Sequence, residues 1–153
     1  MSTALPDRDW IAAHIPHHGR MCLLDAVEAW DAEHIRCTSL SHHAPDNPLR
    51  SGERLGALNA IEYAAQAMAV HGALLADAAQ AATAPAPGFL GSARGVSCMV
   101  DRLDDIEGPL TVSAERLSAD ARTLLYAFTV SAAERPLVQG RVAVVLGHAP
   151  STS

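Results

Sequence analysis

The chain has 153 residues, 49% of them hydrophobic and 18% charged, which suits one globular domain with a core of its own. Its formal net charge of −6 argues against nucleic-acid binding, because contact with phosphates needs a basic surface. All 11 cationic side chains are arginine, which excludes reactions that need a lysine, such as Schiff-base formation.

The cysteines and the N-terminus favour a cytoplasmic protein. Cys22, Cys37 and Cys98 are odd in number and widely spaced, so we expect small buried thiols and neither disulfides nor a zinc site. Asp7 and Asp9 stand where a signal peptide would be basic and then apolar. Polar residues interrupt the one long apolar stretch, so we expect no membrane span.

In chain order, the first half is predicted to hold a short helix, two strands and one long helix. Pro6 suits the start of a helix that runs through His14. A strand pair, a polar loop and a helix rich in Ala, Leu and Met then follow. Their predicted ranges are Met21–Trp30 and Glu33–Leu40 for the strands, His42–Gly52 for the loop and Leu55–Ala79 for the helix.

The second half is predicted to consist of strands alone, arranged as a meander. Apolar residues alternate with others along each run, most clearly from Leu124 to Val130. Gly108–Pro109, Ala119–Asp120 and Arg135–Pro136 are turn signals between the runs. The predicted strands are Phe89–Val100, Leu110–Leu117, Thr123–Ser131 and Leu137–Leu146.

This order of elements predicts an α+β fold in which an antiparallel sheet wraps around one long central helix, the hot-dog fold. Strands so close in sequence pair antiparallel, and a lone apolar helix needs a sheet to bury it. We expect residues 1–148 to form a single such domain and residues 149–153 to be a frayed tail. An open sheet edge also favours a dimer, either a homodimer or a heterodimer.

Glu62 is the first candidate for chemistry, because it shares a side of the predicted helix with apolar residues. These are Leu55, Leu58, Ala65 and Ala69. A carboxyl group kept from water is available as a proton donor near neutral pH. Alternatively, Glu62 flanks this stripe and reaches solvent or a structural arginine. Gln66, four residues on, either orients the carboxyl or faces solvent.

The histidines offer a base. His42 and His43 precede the loop that leads to the helix, and a histidine–carboxyl pair across a slot can remove one proton and deliver another. Neighbours on an extended segment point to opposite sides, so one of the two faces inward. His71 is predicted to be a satisfied or half-exposed side chain, and His34 and His148 lie on the surface. The histidine spacing does not suit a metal site, and nucleotide and serine-hydrolase motifs are missing, so we expect neither metal nor cofactor.

Several segments resemble the aryl-polyene-type dehydratases, relatives of the fatty-acid 3-hydroxyacyl-carrier-protein dehydratases. The most specific is IEYAAQA at Ile61–Ala67, with SHH at Ser41–His43 and NPLR at Asn47–Arg50 before it. IPH at Ile15–His17 with MCLLD at Met21–Asp25, and GFLG at Gly88–Gly91, fit as well. The resemblance covers nearly the whole chain.

The resemblance implies dehydration of a 3-hydroxyacyl chain on an acyl carrier protein, in a dimer with two sites built from both subunits. Glu62 would protonate the departing hydroxyl, and His42 would take the proton from C2. The Gly-His-Phe-Pro motif of the fatty-acid enzymes is missing here, and His42 lies farther from the carboxylate. The choice between His42 and His43 therefore stays open.

Further residues are expected to bind the substrate. Charge that builds on the thioester oxygen needs fixed donors, for which the amides around Gly56, at the helix start, and of Gly91 are candidates. Leu90, Gln66 and Arg50 complete this set. The arginines that could form a docking edge for an acidic carrier protein are Arg20, Arg50, Arg54, Arg94 and Arg102. Two alternatives remain: a thioester hydrolase that uses Glu62 without a histidine, and a catalytically silent subunit.

Overall fold

The fold combines one six-stranded antiparallel sheet with a long helix, in a computed structural model that describes residues 5–15, 19–80 and 88–147. This confirms the predicted fold class. In chain order the elements are α1 (Arg8–His14), β1 (Ala26–Trp30), β2 (His34–Ser39), α2 (Ala60–Ala78), β3 (Gly88–Cys98), β4 (Leu110–Ala119), β5 (Thr123–Ala132) and β6 (Arg135–Leu146).

The strand order in the sheet is β1-β2-β4-β5-β6-β3. The prediction of a four-stranded meander is therefore wrong for β3, which pairs with β6 at the sheet edge and not with β4. The reason lies in the segment between β3 and β4, which crosses the start of the helix. There the amide of Ala57 donates to the carbonyl of Asp101, and the amide of Leu103 donates to the carbonyl of Leu55.

Helix α2 packs its apolar side on strands β2, β4 and β5. Small side chains such as Ala60, Ala64 and Ala67 let it approach the sheet closely, and all three are buried. The helix starts later than predicted, at Ala60, because residues 55–57 hydrogen-bond to the segment before β4 and a 3-10 turn follows over Ala57–Asn59. Leu55 itself is fully buried.

Two other boundaries differ from the prediction. The first strand begins at Ala26 and not at Met21, because a side chain of α2 holds the backbone of residues 21–23 away from the sheet. The turn between β5 and β6 is formed by Ala133 and Glu134, both with positive φ, while Arg135 already begins β6. The paired positive φ values match the twist of a tight hairpin.

His71 fixes α2 to the turn after β1 and to strand β5. It is buried, its Nε2 lies 2.8 Å from the carbonyl oxygen of Asp31, and its Nδ1 lies 2.6 Å from the hydroxyl of Tyr126. Because a carbonyl can only accept, Nε2 carries the proton and Nδ1 accepts from the tyrosine. The prediction of a satisfied structural histidine is thus confirmed, as is the exposed position of His34.

The other composition-based predictions meet mixed outcomes. Cys22 and Cys37 are buried, and burial raises the pKa of Cys37 to about 12, but Cys98 is exposed on β3, contrary to the prediction. No helix of the described ranges is long and apolar enough to cross a membrane. The segment 16–18, His148 and the predicted tail lie outside the described residues.

Candidate functional site

Glu62 lies on a face of α2 that the chain itself does not cover. Glu62 and Ala69 are exposed, and Leu58, in the 3-10 turn just before α2, is 63% exposed. The expectation that Glu62 belongs to a buried apolar stripe of this chain is therefore wrong. The buried side of the helix is the neighbouring one, which carries Tyr63 and Ala67. Leu58 and Glu62 are consequently available to a second molecule.

Gln66 is buried and does not orient Glu62, nor does it face solvent. Its Oε1 accepts from the amide of Leu23 at 2.9 Å, and its Nε2 donates to the carbonyl of Met21 at 2.7 Å. A planar amide that satisfies one donor and one acceptor acts like a short piece of strand. Both expectations for Gln66 are corrected: it fastens residues 21–23 to the helix.

His42 is fully buried, in a 3-10 turn formed by Ser41–His43. Its Nε2 donates to the carbonyl oxygen of Ile106 at 3.0 Å, and its Nδ1 is buried without a hydrogen-bond partner in the described part of the chain. Burial, followed by the neighbouring His43, lowers the pKa of His42, so the ring is neutral at pH 7. With Nε2 as the donor, the free lone pair lies on Nδ1.

His43 is held at the same place but differs in exposure. Its Nε2 donates to the same carbonyl of Ile106 at 2.5 Å, and the centres of the two imidazole rings are 3.9 Å apart. Its side chain is exposed, whereas that of His42 is not. The expectation that the two side chains point to opposite sides is wrong, because they lie in a 3-10 turn and not in an extended segment, and both reach one carbonyl. Only His42 is buried, so one of the two candidates does face inward.

A series of hydrogen-bonded hydroxyl groups joins the 3-10 turn Ser41–His43 to α2. The Tyr63 hydroxyl is buried and lies 2.8 Å from Oγ of Ser41 and 3.0 Å from Nδ2 of Asn47. Oγ of Ser41 lies 2.9 Å from Oγ of Ser39, which donates to the carbonyl of Leu23 at 2.5 Å. The sequence predicts no role for Tyr63 or Asn47, although a lone tyrosine among the alanines of α2 is a usable signal.

Arg50 ties the loop after His42 together through backbone carbonyls. Its two terminal nitrogens donate to the carbonyls of His42 and Glu53, each at 2.9 Å. Its Nε is buried and unpaired among the described residues, and the side chain forms no ion pair with a described carboxylate. Arg50 is therefore placed beside His42, but its observed bonds are to backbone.

The helix start offers fewer donors than expected. The amides of Leu55 and Ala57 donate to Oδ1 of Asp104 and to the carbonyl of Asp101. Arg102 chelates Asp104 with both Nε and Nη2, which holds the pKa of that carboxyl well below its usual range. Gly56 lies between Leu55 and Ala57, whose amides are already hydrogen-bonded, and it forms an isolated antiparallel β-bridge with Arg102.

Leu90 and Gly91 lie on the exposed edge strand β3. Leu90 is 46% exposed. Gly91 is the extra residue of a bulge, because Leu90 pairs with Val144 and Ser92 with Ala143. A side chain at Gly91 would meet Cγ2 of Val145 at 2.8 Å and the carbonyl oxygen of Ala143 at 3.2 Å. Close packing of the bulge on β6 therefore explains the glycine.

A single chain does not bring the proposed acid and base into contact. No hydrogen bond or ion pair joins Glu62 and His42 among the described residues, and no group of side chains there is arranged to hold a metal ion. Two surface depressions, of about 430 and 720 Å³, include neither residue. What the chain does provide is a buried neutral imidazole, and a carboxylate on a face left uncovered.

An antiparallel sheet wrapped on one long helix defines the hot-dog fold. The chain belongs to the ApeP-like family of ApeP dehydratases, which its residues 10–152 match. It is accordingly an aryl-polyene-type enzyme of the dehydratase kind. None of the curated proteins matches it.

Solved structures support the same fold. The dehydratase heterocomplex ApeI:P from Xenorhabdus doucetiae has a chain 23% identical, with a TM-score of 0.80 over 90% of this chain and 91% of that one. A mutant thioesterase from Pseudomonas aeruginosa is 16% identical, with a TM-score of 0.62 over 92% and 94%. A thioesterase from Haemophilus influenzae is 10% identical, with a TM-score of 0.56 over 83% and 80%.

Proposed function

We propose that this chain removes water from a 3-hydroxyacyl group carried as a thioester by an acyl carrier protein. His42 takes a proton from C2, Glu62 in its acid form protonates the C3 hydroxyl, and water leaves as the C2–C3 double bond of the trans-2-enoyl product forms. The observation that carries this proposal is the buried, neutral imidazole of His42, whose Nδ1 is unpaired among the described residues. A buried acceptor without a partner is costly unless a ligand uses it.

The uncovered face of α2 points to a second subunit. Leu58, Glu62 and the long edge strand β3 are exposed together, and an open edge strand is a template for pairing. A homodimer, or a heterodimer with a related hot-dog subunit as in the Xenorhabdus heterocomplex, would cover them. The partner would also exclude water from around Glu62.

The acidic carrier protein needs a basic edge to dock on. Arg20, Arg54 and Arg94 are exposed and keep this proposed role. Arg102 suits it less, because its guanidinium already chelates Asp104. The thioester carbonyl would be polarised by the amide of Gly56 or of Gly91.

Mass spectrometry of a carrier-bound 3-hydroxyacyl chain tests this function directly. The wild-type assembly should convert the substrate to the enoyl product with loss of water, and His42→Ala and Glu62→Gln should each abolish this. His43→Ala is the matched control, since that imidazole bonds to the same carbonyl of Ile106 but is exposed. Loss of activity in His43→Ala alone would reverse the assignment of the base.

Thioester hydrolysis is the second candidate, favoured by the likeness to two thioesterases and by the access of water to Glu62 in the single chain. In that case free thiol would be released from acyl thioesters, release would survive His42→Ala, and Glu62→Gln would stop it. A chain that assembles normally but turns over neither substrate would be a silent subunit.

A further inference from the structure

Tyr63 occupies a position that the proposed chemistry has not yet used. It directly follows Glu62 in sequence, yet its side chain points to the buried side of α2, where it is fully enclosed. Its hydroxyl lies 2.8 Å from Oγ of Ser41, the residue directly before His42. One hydrogen bond therefore joins the sequence neighbour of the proposed acid to the sequence neighbour of the proposed base.

The hydroxyl groups of Tyr63, Ser41 and Ser39 are hydrogen-bonded in series between Asn47 and the carbonyl of Leu23. The donor and acceptor of each bond follow from these two end groups. The Nδ2 group of Asn47 can only donate, so Tyr63 accepts from it and gives its own proton to Ser41. The carbonyl of Leu23 can only accept, so Ser39 donates to it and receives a proton from Ser41. Each of the three hydroxyls thus donates once, and Ser39 also accepts from the amide of Ser41 at 3.1 Å, so the direction of every bond is fixed.

The same segment is tied at further points. Asn47 also donates to the carbonyl of Ser41 at 2.9 Å, and Arg50 donates to the carbonyl of His42. Leu23, where the hydroxyl chain ends, is itself fastened to α2 by Gln66. Two residues of α2 thus hold this region: Tyr63 bonds directly to Ser41, and Gln66 bonds to Leu23.

We propose that Tyr63 is a positioning residue that fixes the position of the His42 imidazole relative to α2 and therefore relative to Glu62. This rests on the proposed function only in naming His42 as the base. Loss of the Tyr63 hydroxyl removes the hydrogen bonds to Ser41 and Asn47 and so the link between these hydroxyls and α2, which lets the loop shift. A shift of about 1 Å in a catalytic group lowers the rate by up to about a hundredfold.

Tyr63→Phe is the variant to test, and Tyr126→Phe is its matched control. Tyr126 is also fully buried and bonds through its hydroxyl to a histidine of α2, His71, which takes no part in the proposed reaction. We expect Tyr63→Phe to lower kcat about tenfold to hundredfold with little change in KM. Tyr126→Phe should lose a similar amount of stability and keep kcat within about twofold.

A second readout does not depend on turnover. In nitrogen-15 spectra of histidine-labelled protein, His42 should be the Nε2–H tautomer in the wild type, and this preference should weaken in Tyr63→Phe but not in Tyr126→Phe. If Tyr63→Phe does not fold, Ser41→Ala breaks the next link and should act alike, while Ser41→Thr, which keeps the hydroxyl, should restore turnover.

The outcomes separate the two proposals. Wild-type protein that does not dehydrate the substrate refutes the function, and the tautomer of His42 in Tyr63→Phe then still decides the role of Tyr63. An unchanged His42 spectrum in Tyr63→Phe overturns the positioning role. Equal losses of kcat in Tyr63→Phe and Tyr126→Phe also overturn it, because they would reflect general destabilisation.

Discussion

Two buried histidines link the stability of the fold to pH. Burial lowers the pKa of His71 and of His42 below the ordinary value of 6.5, so the folded chain keeps both rings neutral where the unfolded chain takes up protons. Their contribution to stability is therefore complete above pH 6.5 and is lost as the pH falls towards the lowered values. His34 acts in the opposite sense, since Asp31 raises its pKa, but that pair is exposed.

His71→Gln should reduce this dependence. The free energy of unfolding, measured with urea between pH 7.5 and 5, should fall less steeply in the variant than in the wild type, by at most about 1.4 kcal/mol per pH unit. His34→Gln is the control and should leave the slope unchanged or make it slightly steeper. An identical slope in His71→Gln and wild type would contradict a buried neutral ring.

Gln66 is the residue on which the placement of the first strand depends. Gln66→Met keeps the length of the side chain but leaves the amide of Leu23 without its acceptor inside the core. We expect a loss of about 1–3 kcal/mol in the free energy of unfolding. Gln139→Met on β6 is exposed and should change it by no more than about 0.5 kcal/mol. Equal losses in the two variants would show that the hydrogen bonds of Gln66 to Met21 and Leu23 do not contribute to stability.

At the scale of elements, two glycines should respond to alanine in opposite directions. Gly91→Ala pushes a methyl group against the backbone of β6 at Ala143 and should cost roughly 1–3 kcal/mol. Gly72 lies in α2 with open space at the methyl position, so Gly72→Ala should gain about 0.5–1 kcal/mol. Chemical denaturation of both variants measures this, and a stabilising Gly91→Ala would contradict the packed bulge.

The sequence predicts elements better than the contacts between them. Periodicity placed the long helix and the strands within a few residues, because apolar spacing reports directly on one buried face. It could not show that β3 pairs with β6, since pairing between distant strands leaves no local pattern. For the same reason Gln66 was placed beside Glu62, when its partners are Met21 and Leu23.

The candidate site was predictable only as far as residue types go. A carboxylate on the helix and histidines in the preceding loop could be read from the sequence. Both His42 and His43 bond to the carbonyl of Ile106, which is far away in sequence, so no local pattern shows that His42 is the buried one. Glu62 shares its side of α2 with the alanines Ala65 and Ala69, and periodicity cannot tell that this side, and not the one with Tyr63 and Ala67, is left uncovered.

At the scale of the whole molecule, the exposed strand β3 predicts assembly. Leu90→Arg places a charge on this edge and should lower the mass of the assembly in sedimentation velocity, for the purified chain or with a partner subunit that copurifies. Leu117→Arg on β4 is the control, because Leu117 is 42% exposed and Leu90 is 46% exposed. If both variants sediment like wild type, the edge is not an interface.

The place of β3 at the far edge of the sheet also sets an order of events during synthesis. Gly88–Cys98 leaves the ribosome before Arg135–Leu146, the strand that it must pair with, so it waits unpaired while three further strands are made. Contacts between such distant segments form late and slowly. The nascent chain is therefore most prone to aggregate while β3 is unpaired. A partner subunit that binds β3 during synthesis would shorten this stage.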